Sequence, residues 1–161
     1  MICPPNDRSD TEYGGYLNNK FIKNSLVSGS QHHKHAMYNK DVVFSTVNSL
    51  SKIGFKINLD LLNFIINTKE QSLLDEVFKN NLSNLITFSI AKTYSNHSFF
   101  LPVYVDWRGR IYVYSHYLSY QGNDFSVSLL ELNEGDILTS AGLKDFYIYG
   151  AKAYNDNGVN K

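Results

Sequence analysis

At 161 residues the chain is long enough for one domain or for a piece of a larger protein. Its 15 Lys and Arg balance its 15 Asp and Glu, which excludes a polyanion-binding field over the whole surface but leaves room for a local basic groove. The single cysteine, Cys3, excludes an internal disulfide framework and suits a reducing compartment. No apolar run approaches the ~18–20 residues that span a bilayer, so a soluble protein is expected. The opening MICPPNDRSD has neither the apolar stretch of a secretory signal nor the Arg-rich, acid-poor character of a transit peptide. Abundant Asn, Ile, Lys, Phe and Tyr, residues with A/T-rich codons, suggest an A/T-rich genome such as that of an organelle or plasmid.

Residues 1–40 read as a polar leader punctuated by Pro4-Pro5, Gly14-Gly15 and Gly29. His32, His33 and His35 lie within it. With no Cys or carboxylate at ligand spacing, they read as a solvated loop and not as a metal site. From Asp41, a candidate N-cap, Val43, Val47 and Leu50 fall at helical spacing until Gly54. Asn58 is the expected cap of a second helix with the stripe Leu61, Leu62, Ile65 and Ile66. Further helices are predicted over about 70–80 and 82–95, which makes 41–97 a helical region.

Character changes at Phe99. The run FFLPVYVDWRGRIYVYSHYLSY is dense in β-branched and aromatic residues and predicts one or two strands. With period-two alternation, Val105, Trp107, Gly109, Ile111 and Val113 share one face, and Asp106, Arg108, Arg110, Tyr112 and Tyr114 share the other. Two planar guanidiniums two residues apart suit repeated phosphates along a backbone. Gly109 opens space for a ligand to approach the main chain. The tyrosines offer stacking or hydroxyl contacts, and Asp106 can hold an arginine in one rotamer. An ordinary strand with a solvated face and an Asp–Arg surface pair explains the same residues. Ser115 and His116 lack a third partner and read as strand-end residues; Cys3, in the leader, is not expected to be a nucleophile. QGND at 121–124 is a turn, with Asp124 as candidate cap of a helix carrying Phe125 to Leu132 and ending at Gly135. A last helix covers about 140–154. The fold class is α+β: a helical first two-thirds, a short antiparallel β element, then two helices, with the break near 98 and a final region 98–161.

The stretch 98–135, SFFLPVYVDWRGRIYVYSHYLSYQGNDFSVSLLELNEG, resembles the phage-type, single-subunit DNA-dependent RNA polymerases of phages, mitochondria and organellar plasmids. In that family an aromatic-Pro segment leads into Asp-x-x-Gly-Arg, followed by a Gly-Asn-Asp turn and a Leu-Leu helix ending in Gly. A lone DxxGR is weak; the whole run in order is specific. FSIAKTYSNH at 88–97, FKIN at 55–58, the Pro4-Pro5 pair, GGYL at 14–17 and GAKAYNDNGVNK at 150–161 resemble flanking family elements. Departures are Arg8 where a Trp usually follows the Pro pair, Tyr120 in place of a Pro, and Asn160 in place of an Asp.

The resemblance implies thumb-like helices over about 59–97 and the start of a polymerase palm from about 98. It implies descent from a DNA-directed RNA polymerase, which transfers ribonucleotides from NTPs using two Mg²⁺ ions held by carboxylates. The family's metal-binding aspartates, its ribonucleotide-selecting helix and most of its fingers are expected outside these residues. Asp124 and Glu131 have no partner at useful spacing, so no catalytic or metal-binding residue is assigned. The DxxGR element is expected to contact the template DNA strand and the RNA–DNA hybrid. Carried onto this chain it gives Asp106, Trp107, Arg108 and Arg110, with Tyr112 adjoining. Arg108 and Arg110 are then phosphate contacts and Asp106 orients one of them, while Trp107 either packs or reaches a template base. NTPs and Mg²⁺ would serve only the full-length enzyme, and a mitochondrial location, encoded in the organelle or on its plasmid, is implied. Three readings stay open: a polymerase segment, a catalytically inert nucleic-acid-binding module, or a decayed relic.

Overall fold

The structure is a computed structural model describing residues 2–8, 39–106 and 108–154 with side chains, and residues 27–28 and 155–158 as backbone. The histidine cluster at 32–35, Trp107, Asn160 and GGYL at 14–17 lie outside the described residues. In chain order the elements are β1 (Val27–Ser28), α1 (Lys40–Ser51), β2 (Gly54–Ile57), α2 (Leu59–Asn67), α3 (Gln71–Phe78) and α4 (Leu82–Tyr94). There follow β3 (Phe99–Phe100), β4 (Val103–Asp106), β5 (Ile111–Val113), α5 (Asp124–Ser128), β6 (Leu130–Leu132) and α6 (Ser140–Gly158). The architecture is α+β, as expected.

Two small sheets organise it, in the orders β1-β4-β5 and β3-β2-β6. In the first, β1 runs parallel to β4, and β4 and β5 form an antiparallel hairpin. In the second, β2 is the central strand, antiparallel to both β3 and β6. The FKIN stretch is therefore β2, a strand that joins the helical region to residues beyond 98.

Local chemistry explains the start of three helices. Asn58 caps α2, its side-chain oxygen accepting from Leu61 N–H at 3.0 Å. Asn81 caps α4 in the same way through Asn84 N–H. Such caps satisfy an N–H that the helix itself leaves unpaired. Three expectations need correction. The residue before α1 is Asn39, held left-handed at φ 52°, and Asp41 lies in the first turn rather than at the cap. Asn123, not Asp124, caps α5 by accepting from Ser126 N–H at 2.9 Å. The helix expected to continue to Gly135 ends at Ser128. Leu130–Leu132 instead pairs with β2, with Ile57 opposite Leu130 and Phe55 opposite Leu132. The edge of β2 would otherwise leave backbone groups unpaired, and strand pairing there outweighs the helical tendency of a leucine run.

Phe55, Ile57, Leu62, Ala91, Phe99, Leu101, Leu118 and Leu129 form the main core, between the second sheet and helices α2, α4 and α5. A smaller cluster of Val47, Val103 and Val105 seals the hairpin onto α1. Val113 and Tyr120 touch both clusters, so the two sheets share one interior. Tyr120, the departure from proline, stacks on Phe55 with ring centres 5.5 Å apart. Burying a side chain such as Phe99, 2% exposed, contributes about 1.5–3 kcal/mol. Several large apolar residues stay exposed, among them Phe64 on α2, Leu82 on α4 and Phe146 and Tyr149 on α6. Among the described residues no helix is long and apolar enough to cross a membrane.

Candidate nucleic-acid interface

The stretch from Val103 to Val113 is a hairpin, not one continuous strand. Val105 lies opposite Ile111 and Val103 opposite Val113. Paired residues have the same parity, so the expected alternation survives the turn within the strands. Val103 and Val105 are buried against α1, while Tyr104, Arg110, Tyr112 and Tyr114 belong to the outer face. Asp106 ends β4 and Arg110 precedes β5, joined by a 2.8 Å bond from Asp106 N–H to Arg110 C=O. Arg108 is thereby moved from the strand face into the turn. Gly109 has φ +83°, a left-handed conformation that completes a three-residue hairpin loop. A Cβ at Gly109 would meet no atom within 4 Å, so the positive φ, and not packing against the described residues, is what favours glycine there.

Asp106 is the organising residue of this tip. It is 7% exposed, and one carboxylate oxygen accepts from Arg108 N–H at 2.8 Å and Arg110 N–H at 2.9 Å. The other accepts from Arg108 Nε at 2.8 Å. Burial works against the charge, but the Arg110 N–H, the Arg108 guanidinium and the Arg108 N–H together outweigh it and hold this carboxyl below the ordinary range. The hydrogen bond and charge of Asp106 in turn raise the pKa of Arg108 further, so the guanidinium remains a fixed cation. Arg108 Nη2 also donates to the Tyr112 hydroxyl at 3.3 Å. The guanidinium is thus held from two sides while its side chain stays exposed. Arg110 is exposed as well and makes no ion pair among the described residues.

Behind the arginines lies an aromatic row. Tyr104 stacks on Tyr112 at 5.7 Å and meets Tyr114 at 4.6 Å. The Arg8 guanidinium sits 5.4 Å from the centre of the Tyr114 ring. Arg8 is itself buried, and its main chain is tied to α1 by paired bonds with the Asn48 side chain. The structure therefore brings together Asp106, Arg108, Arg110 and Tyr112 from the expected set. Tyr114, expected on the same face, joins them, and the structure adds Tyr104 and Arg8, the last of which sequence reasoning noted only as a departure.

The remaining candidates do not converge here. Glu131 pairs with Lys56 at 3.6 Å across β6 and β2, and Asp124 occupies the first turn of α5. His116 packs edge-on to Tyr117, and Cys3 is exposed. No three His, Cys, Asp or Glu side chains gather as a metal site among the described residues.

QGND makes a second ordered unit behind the hairpin. Gly122 N–H bonds Ser119 C=O at 3.1 Å, and a Cβ there would lie 2.9 Å from Ser126 Cβ and 3.0 Å from that carbonyl. Asn123 Nδ2 reaches Asn84 Oδ1 at 2.8 Å, tying the turn to α4.

No family model matches the chain. Individual proteins do. Over 165 residues, 98% of its length, the chain is 43% identical to a Gelasinospora sp. protein named probable DNA-directed RNA polymerase. It is 30% identical over 173 residues, 88% of its length, to a protein of the same name from Agaricus bitorquis. The chain is homologous to one segment of proteins named DNA-directed RNA polymerase. A Neurospora crassa relative, named DNA-directed RNA polymerase, mitochondrial, is 24% identical over 96% of the chain. The chain spans 20%, 16% and 14% of the length of these three polymerases, so it corresponds to one segment of them.

Proposed function

We propose that this polymerase segment supplies part of the surface that holds the DNA template strand and the RNA–DNA hybrid. In this reading Arg108 and Arg110 each contact a backbone phosphate, Asp106 and Tyr112 fix the Arg108 guanidinium, and Trp107, their neighbour in the sequence motif, either packs or reaches a template base. What supports it is the carboxylate of Asp106, which orders an exposed tip carrying two arginines in a chain 43% identical to a protein named probable DNA-directed RNA polymerase. A merely solvated strand face needs no such ordering, since each exposed arginine would be as stable in water. Phosphate binding benefits, because a guanidinium that is already oriented loses less entropy on contact.

The complete enzyme would carry out template-directed ribonucleotidyl transfer from NTPs. The two Mg²⁺ ions of that reaction would activate the attacking hydroxyl and neutralise the leaving pyrophosphate. In this reading the segment contributes binding and positioning, and the metal-holding aspartates come from elsewhere in the polymerase. The mitochondrial name of one relative supports action on a mitochondrial template.

The test is fluorescence anisotropy with a short labelled RNA–DNA hybrid. The chain should bind it, Arg108→Ala and Arg110→Ala should each weaken binding, and Arg110→Lys should restore it only partly, because an ammonium cannot fork onto two phosphate oxygens. Equal binding by wild type and both alanine variants would overturn the proposal.

A further inference from the structure

The QGND motif has a role that the hairpin tip leaves unexplained. Gln121 follows Tyr120 on the far side of β5 from β4, and its side-chain amide docks on the open edge of that strand. Its Oε1 accepts from Val113 N–H at 2.9 Å, and its Nε2 donates to Ile111 C=O at 2.9 Å. One amide therefore bonds the backbone on both sides of Tyr112, with the spacing a neighbouring parallel strand would use. The Gln121 backbone is anchored in turn, its N–H donating to Ser119 Oγ at 3.1 Å. Ser119 N–H donates to the buried hydroxyl of Ser126 at 2.8 Å. The clamp thus rests on an interior hydroxyl, not on a mobile loop. At its other end it holds Tyr112, whose hydroxyl accepts from Arg108 Nη2.

We infer that Gln121 is a positioning residue for nucleic-acid contact, acting through the β5 backbone and Tyr112 on the Arg108 guanidinium. This rests on the hairpin tip being a phosphate-binding surface. The chemistry selects glutamine. Asparagine is one methylene too short to span both bonds from the same backbone position. Glutamate can accept from Val113 N–H but sets an acceptor against the Ile111 carbonyl. An edge strand needs only some cover for its unpaired groups; a clamp centred on Tyr112 does more, because it fixes the residue that braces the arginine.

The experiment is a double-mutant cycle on binding of the labelled RNA–DNA hybrid, with wild type, Gln121→Ala, Arg108→Ala and the double variant, alongside amide exchange at Val113. Gln121→Ala should weaken hybrid binding by about threefold to tenfold, the scale of one or two net hydrogen bonds. In the Arg108→Ala background the same change should have no further effect, since the residue it positions is gone. Gln121→Glu, which keeps shape and one acceptor, should behave as Gln121→Ala. If Gln121→Ala accelerates Val113 exchange but leaves hybrid affinity unchanged, or if its effect adds fully to that of Arg108→Ala, Gln121 only covers a strand edge and the inference is wrong. If wild type itself fails to bind the hybrid, the phosphate-binding reading of the tip falls, and the inference with it.

Discussion

Gly109 offers a clean separation of backbone strain from packing. Its φ of +83° lies where L side chains are disfavoured, yet a Cβ would find open space, so any penalty for alanine comes from conformation alone. The left-handed conformation costs an L residue about 1–2 kcal/mol. Alanine also narrows the unfolded ensemble, which returns about 0.4–1 kcal/mol. The expected net loss for Gly109→Ala is about 1 kcal/mol, a fall of roughly 2–4 °C in Tm for a chain of this size. Gly109→Asn should lose less, since asparagine tolerates the left-handed region through local hydrogen bonding. Calorimetry of the three proteins measures both differences. Hybrid binding should weaken in the same order, because the turn carries Arg108. An alanine variant that melts at or above wild type, or an asparagine variant less stable than alanine, would refute the claim that a left-handed turn sets the tip.

Gly122→Ala tests the opposite case, a close approach: Ser126 is 1% exposed and hydrogen-bonded, so it cannot swing away, and denaturant melts should show a loss of about 1–3 kcal/mol. Asp106→Asn tests linkage. The folded pKa of Asp106 lies below its unfolded value, so its stabilising contribution is complete above the ordinary carboxylate range near about 4 and disappears as pH falls through the lower folded value. The stability gap between wild type and Asp106→Asn should therefore be constant near neutrality and close in acid; a gap that widens as pH falls would reverse the assigned sign. The purified 161-residue chain should incorporate no ribonucleotide on a primed template with Mg²⁺ and all NTPs, and template-dependent product from a clean preparation would contradict the division of labour proposed above.

Much of this was legible because it is local. Asn58 followed by an apolar stripe marks a helix start by cap chemistry and spacing; in α2 the cap holds and Leu62 and Ile65 of the stripe are buried, while Ile66 is exposed. The alternation of Val105, Ile111 and Val113 against Arg110, Tyr112 and Tyr114 marks two faces, and β4 and β5 keep them. Folding the run into a hairpin was harder to see, because Asp-Trp-Arg-Gly-Arg lacks the Asn-Gly or Asp-Gly pair of two-residue turns and signals itself only through the glycine. Leu129 to Leu132 shows a limit of periodicity: a short apolar run suits helix or strand, and the open edge of β2, more than seventy residues earlier, decides it. Gln121 carries no periodic signal at all. It stood out only as part of a motif, and its two bonds to β5 depend on how the turn returns to the hairpin.

The central claim is that Arg108 and Arg110 each neutralise a nucleic-acid phosphate. A salt titration of RNA–DNA hybrid binding tests it most directly, because each phosphate contact releases counterions and contributes roughly one unit to the log–log salt slope. Arg108→Ala and Arg110→Ala should each lower affinity at low salt and reduce the slope by about one unit, with no change in sequence preference. Wild-type slopes and affinities in both variants would show that the tip is an ordinary charged turn and that the segment meets nucleic acid elsewhere, if at all.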